Sequence, residues 1–564
     1  MHSLSLRSAW VFIFLLAATL WSIHINRPVD LPVWHEFDYS SIARNFLHEG
    51  NNIFYPRIDW RGDGPGFTEM EFPIVPWIMA QLYQIFGVHE VVGRLLSLVF
   101  MLLSLLVFSR LALKVLPECG ALVAALFFVV SHEVTEVATT IQPEALLLLF
   151  YLMAVYFFVS WYEKPDFSLY SLAVISFSCA MLVKSPAAHL AIFFLLWALY
   201  KDGRKAFRRP ALWLFAPLPF VPVLWWYAHA SGLWHQFHNS MGVSNEDHWI
   251  GLDILKRPKV IANLLSIDIL LVCGGGGLLV VLAALARNKL KSLVNRLAVS
   301  WCVAIAIYFI VIMRTAAGYW AAYYHVVAVP PIALLFAAGL QAYRGLPWRK
   351  ILVWSSFTGL LLVGGFAIAG RRDITHLPGV YQDLLSAHSS VIALLILAAL
   401  SGLVTAFCFK SGANFNPKPS GALIIIGCFT YFFISGQLLL GAWKAFTTPS
   451  QQFVCAACFQ GKLAPNALIV TSGGICFDPG GHRVANDAPN MFYWLDRKGF
   501  TTCEGHESLA ELNSLAARGA RYYIADKASV TQQPGFEAEL RKAFPVVAEC
   551  DTAWLFDLKK RMLD

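Results

Sequence analysis

About thirteen stretches of this chain are apolar enough to be helices across a bilayer, judged against the roughly 17–25 residues that a full span needs. They run from Ala9–Ile23 to Ala422–Trp443, and several are short for a span. A chain built this way has few choices. Inside lipid every backbone N–H and C=O must find an internal partner, which leaves helices or a closed barrel, and runs of this length select helices. Composition agrees, with 58% hydrophobic and 14% charged residues. The expected fold is an α-helical polytopic membrane protein. The first span follows Arg7, and no small-residue cleavage site follows its apolar core. It reads as a retained anchor rather than a signal peptide.

Orientation follows from the excess of Lys and Arg in cytoplasmic loops. With the N-terminus inside, the even-numbered connections carry the bases, among them Arg110, Lys114, Lys201, Arg204, Arg208, Arg209, Arg287 and Lys289. Arg371 and Arg372 are the clearest exception. An odd span count then puts the loop at residues 24–90 and the C-terminal tail outside, the topology of a bacterial inner-membrane protein with a periplasmic domain. The net charge of +8 is mostly this topological signal. No basic patch argues for nucleic acid as a partner.

Two domains are expected: residues 1–443 as the membrane domain and residues 444–564 as a small external α/β domain. The tail pattern predicts strands at Ala467–Thr471, Arg521–Ala525 and Ala553–Leu558. It predicts helices near Asn490–Arg497 and Ser508–Arg518, and a turn at Asp478–Gly481. A domain of this size can bury its own core, and the bundle is expected to insert without it. Five cysteines fall here: Cys455, Cys458, Cys476, Cys503 and Cys550. An oxidising compartment permits one or two disulfides with the fifth cysteine free. Cys455 and Cys458 have the spacing of a redox pair or half a zinc site, although no second ligand pair follows.

Four carboxylates, Glu36, Asp38, Glu69 and Glu71, crowd the loop between the first two spans. Acids beside a bilayer need a partner, a metal or a reaction that uses them. From Asp38 to Gly50 the spacing predicts an amphipathic helix lying on the outer membrane surface. Tyr39, Ile42 and Phe46 form its apolar stripe, and Asp38, Ser41 and Asn45 a polar face. By itself Asp38 is better explained as a cap of that helix, since caps are common.

Asp38 is followed by Ile42-Ala43-Arg44-Asn45-Phe46, Glu49-Gly50, Tyr55-Pro56, Asp59, Pro65-Gly66 and Glu69-Met70-Glu71-Phe72-Pro73. This loop resembles that of the membrane-embedded glycosyltransferases of the protein O-mannosyltransferase superfamily, which includes the lipid A aminoarabinose transferases. The resemblance implies the C-type glycosyltransferase fold, a polyprenyl-phosphate-linked sugar donor and inversion at the anomeric carbon. It leaves the acceptor open among lipid, glycan and protein. It implies a catalytic acid at Asp38, with Glu36 as the alternative register. Glu71 helps shape the site, Arg44 and Glu69 lie with it, and Glu144 of Gln142-Pro143-Glu144 stands at a second acidic position. Pro and an acid in a first helical turn are also ordinary helix-start chemistry.

Lys184 and Arg314 stand at external span ends, where the positive-inside rule calls for no base. They are candidates for binding the lipid phosphate, and snorkelling explains them equally. Tyr324 and His325, in the aromatic run after Arg314, resemble the segment facing the phosphate, although an interfacial aromatic belt has the same composition. A divalent cation remains possible. His235, His238, Asp247 and His248, however, match no known metal spacing. A protein O-mannosyltransferase proper would need a polypeptide acceptor. A transporter or flippase would show repeated halves and broken helices near the midplane. No repeat is visible, and Gly274–Gly277 is the one candidate break.

Overall fold

A computed structural model describes residues 2–242, 258–288, 292–312, 319–341, isolated positions between 427 and 438, 448–474, 476 and 488–559. Arg314, Asp247, His248, the spans expected at Ile351–Ala369 and Val391–Phe409, and the turn at Asp478–Gly481 lie outside the described residues. Within them, five helices are long and apolar enough to cross a bilayer, or seven if each of two bent pairs counts as one span. The chain is a multi-pass α-helical membrane protein.

After α1 (His2–Ser22) the chain leaves the bundle for a long loop at residues 24–90, which holds α2 (His35–Glu49) and α3 (Ile74–Phe86). It returns through α4 (Glu90–Val115), α5 (Glu118–Val130), the short α6 (His132–Thr139), α7 (Glu144–Glu163), α8 (Phe167–Val183), α9 (Leu190–Asp202), the short α10 (Pro210–Phe215) and α11 (Phe220–Phe237). Asp166 starts α8 by accepting from the backbone N–H of Ser168 and Leu169 at 2.9 and 3.1 Å, a side-chain cap for donors a helix start leaves free. Helix α7 lies at the centre, packed against α4 and α8.

Two expected spans are not straight. Helix α5 ends at Ser131, where the axis turns by 58° into α6. The span expected at Leu265–Leu285 consists of α12 (Pro258–Ile267), a wide π-helical turn and α13 (Gly277–Asn288), bent by 94°. Gly274 and Gly275 sit there at φ +51° and +64°, and a Cβ on Gly274 would meet Tyr431 at 2.7 Å. Only glycine fits both the turn and that contact. Helix α14 (Leu293–Val311) and, after a 3-10 segment at Tyr319–Ala328, α15 (Val329–Gln341) complete the described bundle.

The tail is a five-stranded sheet of order β2-β1-β3-β5-β4. Strands β1 (Leu468–Ser472) and β3 (Ala520–Asp526) are parallel neighbours, and β5 (Ala553–Asp557) runs antiparallel to β3. These match the three expected strands. The edge strands β2 (Gly499–Thr502) and β4 (Val546–Glu549) are four residues each, too short to show a period. Helix α16 (Gln451–Gln460) precedes the sheet, and α17 (Pro489–Leu495) and α18 (Leu509–Ala517) occupy the expected helical stretches. Disulfides join Cys455 to Cys550 and Cys476 to Cys503. Cys458 is an exposed free thiol. Cys455 and Cys458 are therefore neither a redox pair nor half a zinc site, because Cys455 is bonded across the domain.

The tail sits on this loop. Ser450 donates to Asp30 through its backbone N–H at 2.8 Å and its hydroxyl at 2.5 Å, and the Trp494 indole donates to the Val29 carbonyl at 2.9 Å. Lys498 pairs with Asp59 and donates to Asn45 at 2.6 Å. Along β2, Gly499 N–H donates to the Asp59 carbonyl at 3.1 Å and Gly62 N–H to the Gly499 carbonyl at 2.5 Å. The loop thus occupies the open edge of the sheet, where unpaired backbone groups would otherwise face outward.

This docking overturns the surface-helix reading of α2. Glu36, Asp38, Tyr39, Ser41, Ile42, Asn45 and Phe46 are all buried, so no face of α2 is left for a membrane surface. Phe37 packs edge-on against Trp494 of the tail, and on the polar face Asn45 is paired. Asn45 donates to Asp59 at 2.8 Å and to the Arg57 carbonyl at 2.9 Å.

Candidate functional site

Helix α2 begins at His35, three residues before the expected start, and Trp34 occupies its N-cap. Asp38 therefore stands inside the first turn, and the capping role weighed for it does not apply. At helical spacing His35, Asp38 and Tyr39 share one face, and Asp38 is 1% exposed. The Tyr39 hydroxyl donates to Glu71.

Lys184 anchors the opposite wall. Its ammonium lies 3.2 Å from Glu71 and 3.3 Å from Glu144, with the Tyr324 ring 5.3 Å away. Burial alone would lower Lys184, but Glu144 and Glu71 outweigh it and hold the amine well above its ordinary value. It is a full cation at neutral pH. Its position comes from a buried network: His189 contacts the Pro186 carbonyl at 2.8 Å and the Tyr151 hydroxyl at 2.7 Å, and Trp301 donates to that hydroxyl at 2.7 Å. These bonds fix the tight turn at Ser185–His189 that follows α8. A small cavity opens here, lined by Glu144, Lys184, His189, Tyr308, Tyr323 and Tyr324.

Glu36 has other company. Its carboxylate meets Arg27 at 3.0 Å and Arg94 at 3.0 and 3.1 Å, and accepts from the Ile141 N–H at 2.9 Å. All three side chains are almost completely buried. A carboxylate this saturated is a cross-link between the loop, α4 and the start of α7. Arg44 is similarly committed: it pairs with Asp59 at 2.9 Å and Asp496 at 3.1 Å and lies over the Tyr493 ring. Glu69 accepts from the Ser240 hydroxyl at 2.8 Å, and its backbone pairs with Asn239 and Met241. His325 is buried against Asp268 at 2.8 Å.

Glu71, Glu144, Lys184 and Tyr324 thus come together. Glu36, Arg44, Glu69 and His325 make structural contacts around them. The sequence reading missed two members of the group. Tyr39 was assigned to an apolar stripe, although its hydroxyl reaches Glu71. His35, packed between Trp34 and Tyr323, is driven well below its ordinary value by burial and by Lys184, so its imidazole is neutral. Its i, i+3 and i+4 relation to Asp38 and Tyr39 was the available signal.

Residues 65–226 match the family model for dolichyl-phosphate-mannose-protein mannosyltransferases. That segment contains Glu71, Glu144 and Lys184 and leaves Asp38 outside. ArnT from Cupriavidus metallidurans, solved bound to undecaprenyl phosphate, superposes over 97% of this chain and 98% of its own. The TM-score is 0.64 at 15% identity. The chain shares the C-type glycosyltransferase fold of this ArnT. The apo form of the same ArnT gives a TM-score of 0.63 at 15% identity, covering 98% of each chain. The Archaeoglobus fulgidus oligosaccharyltransferase matches more distantly, at a TM-score of 0.52 and 12% identity over 95% of this chain and 72% of that one. No curated protein matches by sequence. At such identities the structural likeness carries the C-type fold alone, and residue roles rest on the geometry above.

Proposed function

We propose that this protein is an inverting glycosyltransferase that moves one sugar from a polyprenyl-phosphate donor to an acceptor on the periplasmic face of the inner membrane. The observation that carries the proposal is Lys184, a half-buried cation at the mouth of the bundle, facing the same Glu71 that Tyr39 of α2 contacts. A lipid-borne phosphate entering from the bilayer side meets that cation. Asp38, one position from Tyr39, accepts the proton of the acceptor hydroxyl as its oxygen attacks the anomeric carbon. The bond from that carbon to the phosphate oxygen breaks, and polyprenyl phosphate leaves with the electron pair. Lys184 stabilises the negative charge that it carries away. Glu71 and Glu144 hold the ammonium in place, and as donor phosphate binds, one of them gives up its contact.

The fold of ArnT, a protein solved with undecaprenyl phosphate, supports the donor class. The family model's own description favours a second acceptor, a polypeptide. The test uses membranes carrying this protein, a radiolabelled polyprenyl-phosphate sugar, and separate lipid, glycan and peptide acceptors. Asp38→Asn keeps the shape and removes the base, so transfer is expected to fall by about 10²–10⁴-fold with normal expression and insertion. Undiminished transfer by Asp38→Asn would remove Asp38 from the chemistry, and absence of transfer from every donor by the wild type would remove the function.

A further inference from the structure

Helix α6 carries His132, Glu133 and Glu136, which the sugar-transfer reading does not use. One imidazole nitrogen and one oxygen from each carboxylate lie within 4.8 Å of one another. The spacing explains it. His132 and Glu136 are one turn apart, Glu133 and Glu136 three residues apart, and the 58° bend at Ser131 starts a new helix so that all three face one side. Glu133 is 0% exposed, and neither of its oxygens has a hydrogen-bond partner among the described residues. His132 Nδ1 also has none there. Among those residues no lysine or arginine pairs with either glutamate, whose one ionic neighbour is His132 Nε2, 3.8 Å from Glu136.

A buried carboxylate without a partner is strongly unfavourable and is neutralised by a proton or a cation. A proton quiets one oxygen and leaves the imidazole and the second carboxylate as they are. One metal ion takes a lone pair from all three. Ligands on a tetrahedral ion at about 2.0–2.1 Å stand about 3.3 Å apart, within a side-chain rotation of the separations here. One nitrogen and two oxygens suit zinc and its neighbours, whereas magnesium and calcium prefer oxygen alone.

We propose that His132, Glu133 and Glu136 bind a divalent transition-metal ion of the zinc class, leaving one coordination position for water or an oxyanion. Helix α6 packs on Tyr319–Ala328, the segment bearing Tyr323 and Tyr324, so the ion would brace that wall of the Lys184 cavity. The inference stands apart from sugar transfer and is tested without it. The full chain, purified in detergent and stripped with a chelator, is dialysed against zinc chloride, and bound metal is counted by mass spectrometry. One ion per chain is expected, with an unfolding temperature raised by zinc. Glu133→Gln, which removes a buried charge, and Glu136→Gln, at a partly exposed position, are expected to bind none and to lose the thermal shift. A wild type that binds no zinc, or folded variants that keep both ion and shift, would overturn the proposal.

Discussion

Glu36 and Asp38 stand two residues apart on one helix, both buried, in different surroundings. Glu36 answers two arginines and a backbone N–H. Removing one partner of a buried pair leaves the other charge uncompensated, at a cost of about 3–5 kcal/mol. Glu36→Gln is therefore expected to lower the unfolding temperature sharply, while the molecules that stay folded transfer sugar. Thermal denaturation alongside the transfer assay separates this stability effect from the kinetic one expected of Asp38→Asn. Lys184→Ala belongs to the same scale. A charged hydrogen bond to phosphate is worth about 1.5–3 kcal/mol, so donor use is expected to fall about ten-fold to a hundred-fold. Unchanged kinetics would leave the lysine as the ion-pair partner of Glu71 and Glu144 alone. The carboxylates were legible in sequence because charge is rare in this chain. Which were already spoken for was not legible, since the partners Arg27 and Arg94 of Glu36 lie 9 and 58 positions away.

At the scale of elements, α2 shows where a periodic reading stops. Its stripe of Tyr39, Ile42 and Phe46 was visible, but a stripe reports one buried face and says nothing of what covers the other. The cover comes from tail residues such as Tyr493, Trp494 and Lys498, some 450 positions on. The three tail strands seen in sequence are the longer ones, and the two missed are short edges. Their docking carries a pH signature. Burial alone would raise the Asp59 carboxyl, but Lys498 and Arg44 hold it below the usual carboxylate range. A depressed value contributes stability that is present above the unfolded value, about 3.9, and is lost as pH falls through the folded one. The tail is expected to loosen from the loop only below about pH 4. The fluorescence of Trp494 against Phe37 reports it. Loosening already at pH 6 would mean that Asp59 is not the latch.

For the whole molecule, the membrane character follows from hydropathy. The breaks at Ser131 and Gly274 do not, since an apolar run looks the same straight or bent. Gly274–Gly277 hinted at the second, and nothing in composition marked the first. A reporter enzyme that works only outside the cytoplasm, fused after Trp443, is expected to be active. Activity of a cytoplasmic reporter at that position would reverse the placement of loop and tail together.

Loop and tail also have to travel together. The strip from Asp59 to Gly62 is stitched backbone to backbone onto Gly499, at the rim of the tail sheet, and a Cβ on Gly499 would stand 1.8 Å from the Ile469 carbonyl. A chimera that grafts a relative's tail onto this bundle would inherit a seam cut for a different hem. Grafts that carry the matching loop strip along should assemble where tail-only grafts fail, so acceptor preference, if it resides in the tail, can be moved between relatives only as a two-piece cassette.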